Sequence, residues 1–136
     1  MKKYSFRHTN ISLFIILVFL DQFSKFLVRH SGGFYVCNAN AAFGLKIPEP
    51  LFWILWIGII VFFIITLYKQ YFTYNNLYLI LILAGVASNV IDRLYFSCIT
   101  DFINLKFWPV FNLADAFITI GGIMIILEIL KMKYKK

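Results

Sequence analysis

Apolar residues in this chain gather into four long runs separated by short polar stretches. The first extends from Ile11 to Val28 and is broken only by Ser12, Asp21, Gln22, Ser24 and Lys25. The second, Leu51 to Tyr68, is 18 residues without a charge. The third covers Leu77 to Ile91 and continues to Phe96 past Asp92 and Arg93, and the fourth, Phe111 to Leu130, contains Asn112, Asp115 and Glu128. A helix needs ~20 mostly apolar residues to cross a bilayer. The pattern therefore predicts four membrane-spanning helices, over about 11–29, 51–68, 77–96 and 111–130. The expected fold class is an all-α membrane protein, a four-transmembrane-helix bundle forming one domain over 1–136. No internal repeat or low-complexity segment interrupts it.

The opening residues resemble a secretory signal, with Lys2, Lys3 and Arg7 before an apolar run. No A-x-A-like cleavage site follows, so the run is expected to be a retained first helix.

Composition agrees with a bilayer as solvent. The chain is 62% hydrophobic and 14% charged, with 16 phenylalanines; a soluble domain of this size could not cover that surface. The net charge of +7 does not point to nucleic acid, because the basic residues lie mostly in two terminal clusters, where they act as topology signals. Lys2, Lys3, Arg7, Lys69, Lys131, Lys133, Lys135 and Lys136 fall on one side, and Lys25, Arg29, Lys46, Arg93 and Lys106 on the other, eight against five. This places both termini in the cytoplasm. The aromatics Phe52, Trp53, Trp56, Phe62, Phe63, Tyr68, Tyr71 and Phe72 are expected to face lipid and its interfaces.

Against this background four aspartates stand out. A carboxylate in hydrocarbon costs at least ~2.5 kcal/mol, and ionisable residues kept there are candidates for function. Asp21 is late in the first span, Asp92 late in the third, Asp115 early in the fourth, and Asp101 between the last two. With both termini inside, all four fall in the outer leaflet zone. Asp21 and Lys25 are i and i+4, on one helix face, most simply a buried neutralising pair. Asn89 and Asp92 share a face at i, i+3, with Arg93 following, and Asn112 and Asp115 repeat the spacing. Gly85, Ser88, Ala114, Gly121 and Gly122 are small enough to let helices approach and polar groups bond across them.

Two adjacent carboxylates cannot both ionise easily, so one keeps a proton while the other is a base. That is aspartic protease chemistry. It needs no metal or other cofactor, and it suits a site with water on one side. A polar zipper that only glues the bundle is the bland alternative. A non-enzymatic protein relaying protons through buried acids is another, but a relay should reach both leaflets, and only Glu128 approaches the inner side. His30 with Cys37 could form a base and a thiol nucleophile, though nothing in the sequence brings them together. His8 belongs to the other side. No Cys/His spacing suggests zinc. Cys37 and Cys98 share the outer side, where either a disulfide or two buried thiols is possible.

The polar motifs resemble a known family. Asp21-Gln22-Phe23-Ser24-Lys25 is similar to the first-helix signature of the lipoprotein signal peptidases, also called signal peptidase II. Asn38-Ala39-Asn40-Ala41-Ala42-Phe43 resembles N-x-G-A-A-F, Ser88 to Arg93 resembles G-N-x-x-D-R, Thr100 to Ile103 resembles V-D-F-I, and Phe111 to Asp115 matches F-N-x-A-D. The five occur in family order over most of the chain. The resemblance implies an aspartic endopeptidase that cuts diacylglyceryl-modified bacterial prolipoproteins on the N-terminal side of the lipidated cysteine. It implies Asp101 and Asp115 as the catalytic pair. Asp92 would support them, held by Arg93, while Asn38, Asn89, Arg93 and Asn112 would bind substrate or orient the pair. Asp21 and Lys25 would shape the site from the first helix. The resemblance also implies a small extracytoplasmic β-element between the first two helices, a monomer in a bacterial inner membrane, and inhibition by globomycin. Asn40 and Ser88 depart from family glycines, and only twelve residues separate Lys25 from Asn38. An inactive family member is the reading that such departures leave open.

Overall fold

The computed structural model describes residues 8–39, 48, 50, 51, 53, 54, 56–59, 61, 65 and 76–133. Within them run helix α1 (His8–His30), strand β1 (Val36–Asn38), helix α2 (Asn76–Phe96), strand β2 (Ile99–Asp101) and helix α3 (Leu113–Lys133). The three helices are the first, third and fourth expected spans, and each is long and apolar enough to cross a bilayer. The span expected over 51–68 falls mostly outside the described residues; its described positions are helical. Asn40 also lies outside them, as do Phe52, Phe62, Phe63, Tyr68, Tyr71 and Phe72. Trp56, expected against lipid, instead packs on the cluster of Leu79, Ile82 and Val86.

Helix α2 is central. Half of its apolar window is buried inside the protein, against 17% for α1 and 11% for α3, and both neighbours pack on it. In lipid the hydrophobic effect does not drive helices together, so close approach and polar bonds must do so. Small residues supply the approach. A Cβ on Gly85 would run into the carbonyl oxygen of Ala114, and one on Gly121 would come within 2.7 Å of the Tyr78 carbonyl oxygen. Gly122, expected to act likewise, has nothing within 4 Å. On the α1 side, Leu17 joins Ile80 and Ala84 in a second cluster.

Backbone geometry at the helix ends feeds the ribbon. The Ser31 amide bonds the Leu27 carbonyl at 2.8 Å, and Gly32 turns the chain out of α1 with φ of 71°, a conformation open to glycine without steric penalty. At the end of α2, Ser97 takes the same left-handed conformation (φ 58°) and its amide bonds the Arg93 carbonyl, an αL cap. Strand β2 starts two residues later and pairs antiparallel with β1, Val36 opposite Asp101 and Asn38 opposite Ile99. The β-element is as small as expected, but its second strand follows α2 rather than lying between the first two spans. Asp101 is thus on a strand, not in an irregular loop. Cys37 and Cys98 are joined as a disulfide with Cα atoms 5.4 Å apart, which decides between the two options the sequence leaves.

The last span begins later than its hydropathy suggests. Phe111 is held by a bridge to Ile103, with amide–carbonyl bonds of 2.8 and 3.1 Å. Asn112 follows as the cap, and α3 starts at Leu113.

Candidate active site

The site grows from one stripe of α1. Asp21, Gln22, Lys25 and Arg29 recur at helical spacing and face α2. Lys25 is fully buried, and its ammonium has three donors to place. It points Nζ at Asp21 Oδ2 (2.7 Å), Asp92 Oδ2 (3.2 Å) and Asn89 Oδ1 (2.9 Å). Asp21 accepts in addition from the Ser88 hydroxyl at 2.7 Å and the Ala114 amide at 2.8 Å. It thereby satisfies a first-turn donor of α3, where a negative charge is favoured. Asp92 accepts from Gln22 Nε2 (3.1 Å) and the Thr100 amide (2.9 Å), and Arg29 Nη2 lies 3.5 Å away. Two carboxylates and two cations thus form a block with no net charge. Charges this deep are tolerable only when paired, and each of the two carboxylates has a cation within 3.5 Å.

The donor-only Lys25 dictates the next layer. Asn89 must turn its oxygen to the ammonium, so its Nδ2 faces away and donates to Asp115 Oδ1 at 2.8 Å. Asn112 donates Nδ2 to the same Asn89 oxygen at 3.2 Å and to Asp101 Oδ1 at 2.7 Å. Its own oxygen accepts the Asp115 amide at 2.9 Å, while its amide bonds Asp115 Oδ2 at 3.2 Å. This reciprocal pair is a capping box. Asn38 completes the set from β1, donating Nδ2 to Asp101 Oδ2 at 2.9 Å. Arg93 reaches the Ala39 carbonyl at 3.3 Å and lies in the field of Asp101 and Asp115.

The four acids therefore divide. Asp21 and Asp92 are neutralised by cations, whereas Asp101 and Asp115 are held by amides on either side of Asn112. Burial pushes the Asp101 carboxyl up to about 6, and repulsion from Asp115 adds to the shift, against the hydrogen bonds from Asn38 and Asn112 and the attraction of Lys25. An acid so placed keeps its proton to a higher pH than an ordinary carboxyl. Among the described residues no group of His, Cys, Asp and Glu could hold a metal ion.

Of the candidate site residues, Asp21, Lys25, Asn38, Asn89, Asp92, Asp101, Asn112 and Asp115 fall in this network and Arg93 lies beside it. Two expectations change. Lys25 and Arg29 are the cations that hold Asp92, a role expected of Arg93. Asn112 does not share a helical face with Asp115; it precedes the helix and caps it. Ser88, a departure from the family glycine, is a full member of the network through its bonds to Asp21 and Gln22. Arg29, Gln22 and Thr100 carry contacts that sequence reasoning missed. For the first two the signal was present, since both continue the helical stripe of Asp21 and Lys25. The Thr100 contact is made by its backbone amide and has no side-chain signature.

Comparison with known proteins shows the family. Residues 13–131 match the family model described as signal peptidase (SPase) II. The lipoprotein signal peptidase of Syntrophomonas wolfei is 36% identical, over 86% of this chain and 89% of that protein. That of Caldanaerobacter subterraneus is 36% identical, over 85% and 91%. A solved bacterial membrane enzyme superposes with a TM-score of 0.88 at 28% identity, covering 100% of this chain and 96% of that one. The chain belongs to the signal peptidase II family.

Proposed function

We propose that this protein is an aspartic endopeptidase that removes the signal peptide from diacylglyceryl-modified prolipoproteins, cutting N-terminal to the lipidated cysteine. The observation that carries the reading is the division of the four acids. Asp21 and Asp92 are committed to cations, which leaves Asp101 and Asp115, joined through one asparagine, for proton transfer.

In this reading one carboxylate of the pair takes a proton from water as the water oxygen attacks the scissile carbonyl. The other, protonated, gives its proton to the carbonyl oxygen. Collapse of the tetrahedral intermediate returns a proton to the leaving nitrogen. Asn38, Asn89 and Asn112 hold the pair in register, and Arg93 lies beside it to meet substrate backbone. Lys25 with Asp21 supports the layer beneath. Neither a metal nor another cofactor takes part. The span over 51–68 completes a four-helix bundle, both termini are cytoplasmic, and the pair sits just under the outer surface of a bacterial inner membrane. The enzyme works as a monomer and is blocked by globomycin.

The decisive experiment is cleavage of a purified diacylglyceryl-prolipoprotein by the reconstituted protein, with and without globomycin. Asp101→Asn and Asp115→Asn are each expected to lower the rate by at least ~10²-fold while the protein still inserts. Cleavage retained in Asp115→Asn would remove the pair from the mechanism.

A further inference from the structure

The disulfide and the reacting acids meet in the ribbon. Cys37 lies opposite Thr100, and Asn38 opposite Ile99. Side chains alternate between the faces of a strand, so Cys37 and Thr100 share one face while Asn38 and Asp101 share the other; Cys98, the residue before β2, is joined to Cys37 by the disulfide. Both contacts are diagonal. Cys37 reaches two residues back in the chain from its partner, to the residue before β2, and Asn38 two residues forward from its own. A covalent diagonal on one face thus backs a hydrogen-bonded diagonal on the other. Asn38 keeps its 2.9 Å bond to Asp101 only while β1 holds this register.

Strand β1 is a slight element. It is three residues long, and Val36 and Cys37 are exposed. A two-stranded ribbon is marginal in water, and its two cysteines are 61 residues apart in the sequence, a loop that must close before any ladder bond forms. A cross-link takes that closure out of the equilibrium. The Arg93 bond to Ala39 is a further tie, but it lies at the exposed edge.

We propose that Cys37 and Cys98 are positioning residues for the reaction: their disulfide keeps Asn38 on Asp101, and the peptidase turns over more slowly when both thiols are reduced. This rests on the aspartic reading above. Opening the bond takes two electrons and two protons from a dithiol, which leaves as its own disulfide; closing it returns them to a disulfide donor. The groups around Asp101 are Asn38 from β1, Asn112 and Asp115 at the start of α3, Lys25 from α1 and Arg93 from α2. Asn38 is carried by the strand that the disulfide fastens, and Arg93 touches the end of that strand through the Ala39 carbonyl.

The test compares oxidised wild type, wild type reduced in place with a dithiol, Cys37→Ser/Cys98→Ser, and Asn38→Ala. Thiol labelling verifies the redox state. Prolipoprotein cleavage is followed from pH 5 to 9, and Asp101 is titrated directly by its infrared carboxyl band. Reduction and the double substitution are expected to lower kcat by roughly tenfold or more, because small misplacements of reacting groups are costly, with KM less affected. Both should move the Asp101 titration upward, as is expected of Asn38→Ala, and reoxidation should restore the wild-type curve. Unchanged rates and titration in verified dithiol protein would overturn the proposal. So would lower thermal stability with an unmoved titration, which would mark a clamp with no tie to the site. If oxidised wild type cleaves nothing, the aspartic reading fails, and the infrared titration alone still decides whether the disulfide positions Asn38.

Discussion

Lys25 Nζ donates to Asn89 Oδ1 over 2.9 Å, and through this bond a charge-neutral block fixes the orientation of the amides that grip Asp101 and Asp115. An ammonium only donates, so the Asn89 amide has one allowed orientation, and Asn112 inherits its own from Asn89. Lys25→Met removes a buried cation from between two buried carboxylates. Breaking such a group one-sidedly costs about 3–5 kcal/mol. The variant is expected to lose that much against unfolding in detergent, and Lys25→Met/Asp21→Asn, which removes one charge of each sign, is expected to lose less. A Lys25→Met protein as stable as wild type would show that the block does not hold the bundle.

Asn112 performs two tasks that substitution can separate. Its side-chain oxygen caps α3 through the Asp115 amide, and its nitrogen holds Asp101. Serine can replace the cap but is too short to carry the amide to Asp101. Asn112→Ala is expected to lose cap energy of about 1 kcal/mol and most activity. Asn112→Ser should recover much of the stability while kcat stays low and KM changes little. Equal recovery of both quantities would mean that the Asp101 contact does not matter to turnover.

Much of this site is legible because acids in an apolar run have few innocent explanations. Asp21, Asp92 and Asp115 stand out against Leu, Ile and Phe, and topology alone brings their levels together. Partnership is harder to read. Arg93 follows Asp92 directly, but adjacent helical residues point about 100° apart, and the cations that reach Asp92 come from α1. Arg29 continues the Asp21–Lys25 stripe by one more turn, yet near a span end it reads as a flanking charge. The start of α3 was hidden for a different reason. Phe111 is apolar enough to extend the run, and only its bridge to Ile103 takes it out of the helix. The disulfide needed the ribbon register, which depends on strands far apart in sequence.

The raised proton affinity of Asp101 has a stability signature. Its carboxyl is pushed from the ordinary 3.8 up to about 6, so the folded state holds the proton more tightly than the unfolded chain. The corresponding stability is fully present below about 4 and is lost as pH rises through about 6. Asp101→Asn keeps the neutral form at every pH. It is therefore expected to gain stability over wild type at pH 8, by up to ~3 kcal/mol, and the gap should shrink toward zero near pH 4. Thermal unfolding of both proteins across this range measures it. A gap that is flat with pH, or that widens on acidification, would show that Asp101 titrates in its ordinary range.

The two glycines of α3 and their counterpart on α2 give a test of what holds the bundle together. Gly85 lies against the Ala114 carbonyl, backbone that cannot rotate away, with Ile118 beside it. Ala114 is also the residue whose amide Asp21 holds and the one before Asp115. A methyl at position 85 therefore pushes on the helix start that carries the site. Gly85→Ala is expected to destabilise by about 1–3 kcal/mol, the usual cost of overpacking, and to lower activity with it. Gly122→Ala meets nothing within 4 Å, so only helix propensity acts, and alanine is favoured there by up to ~1 kcal/mol. That variant is expected to be neutral or slightly more stable, with activity unchanged. Unfolding in detergent micelles together with the cleavage rate separates the two. Were Gly85→Ala as harmless as Gly122→Ala, α2 and α3 would have to approach less closely than this packing requires.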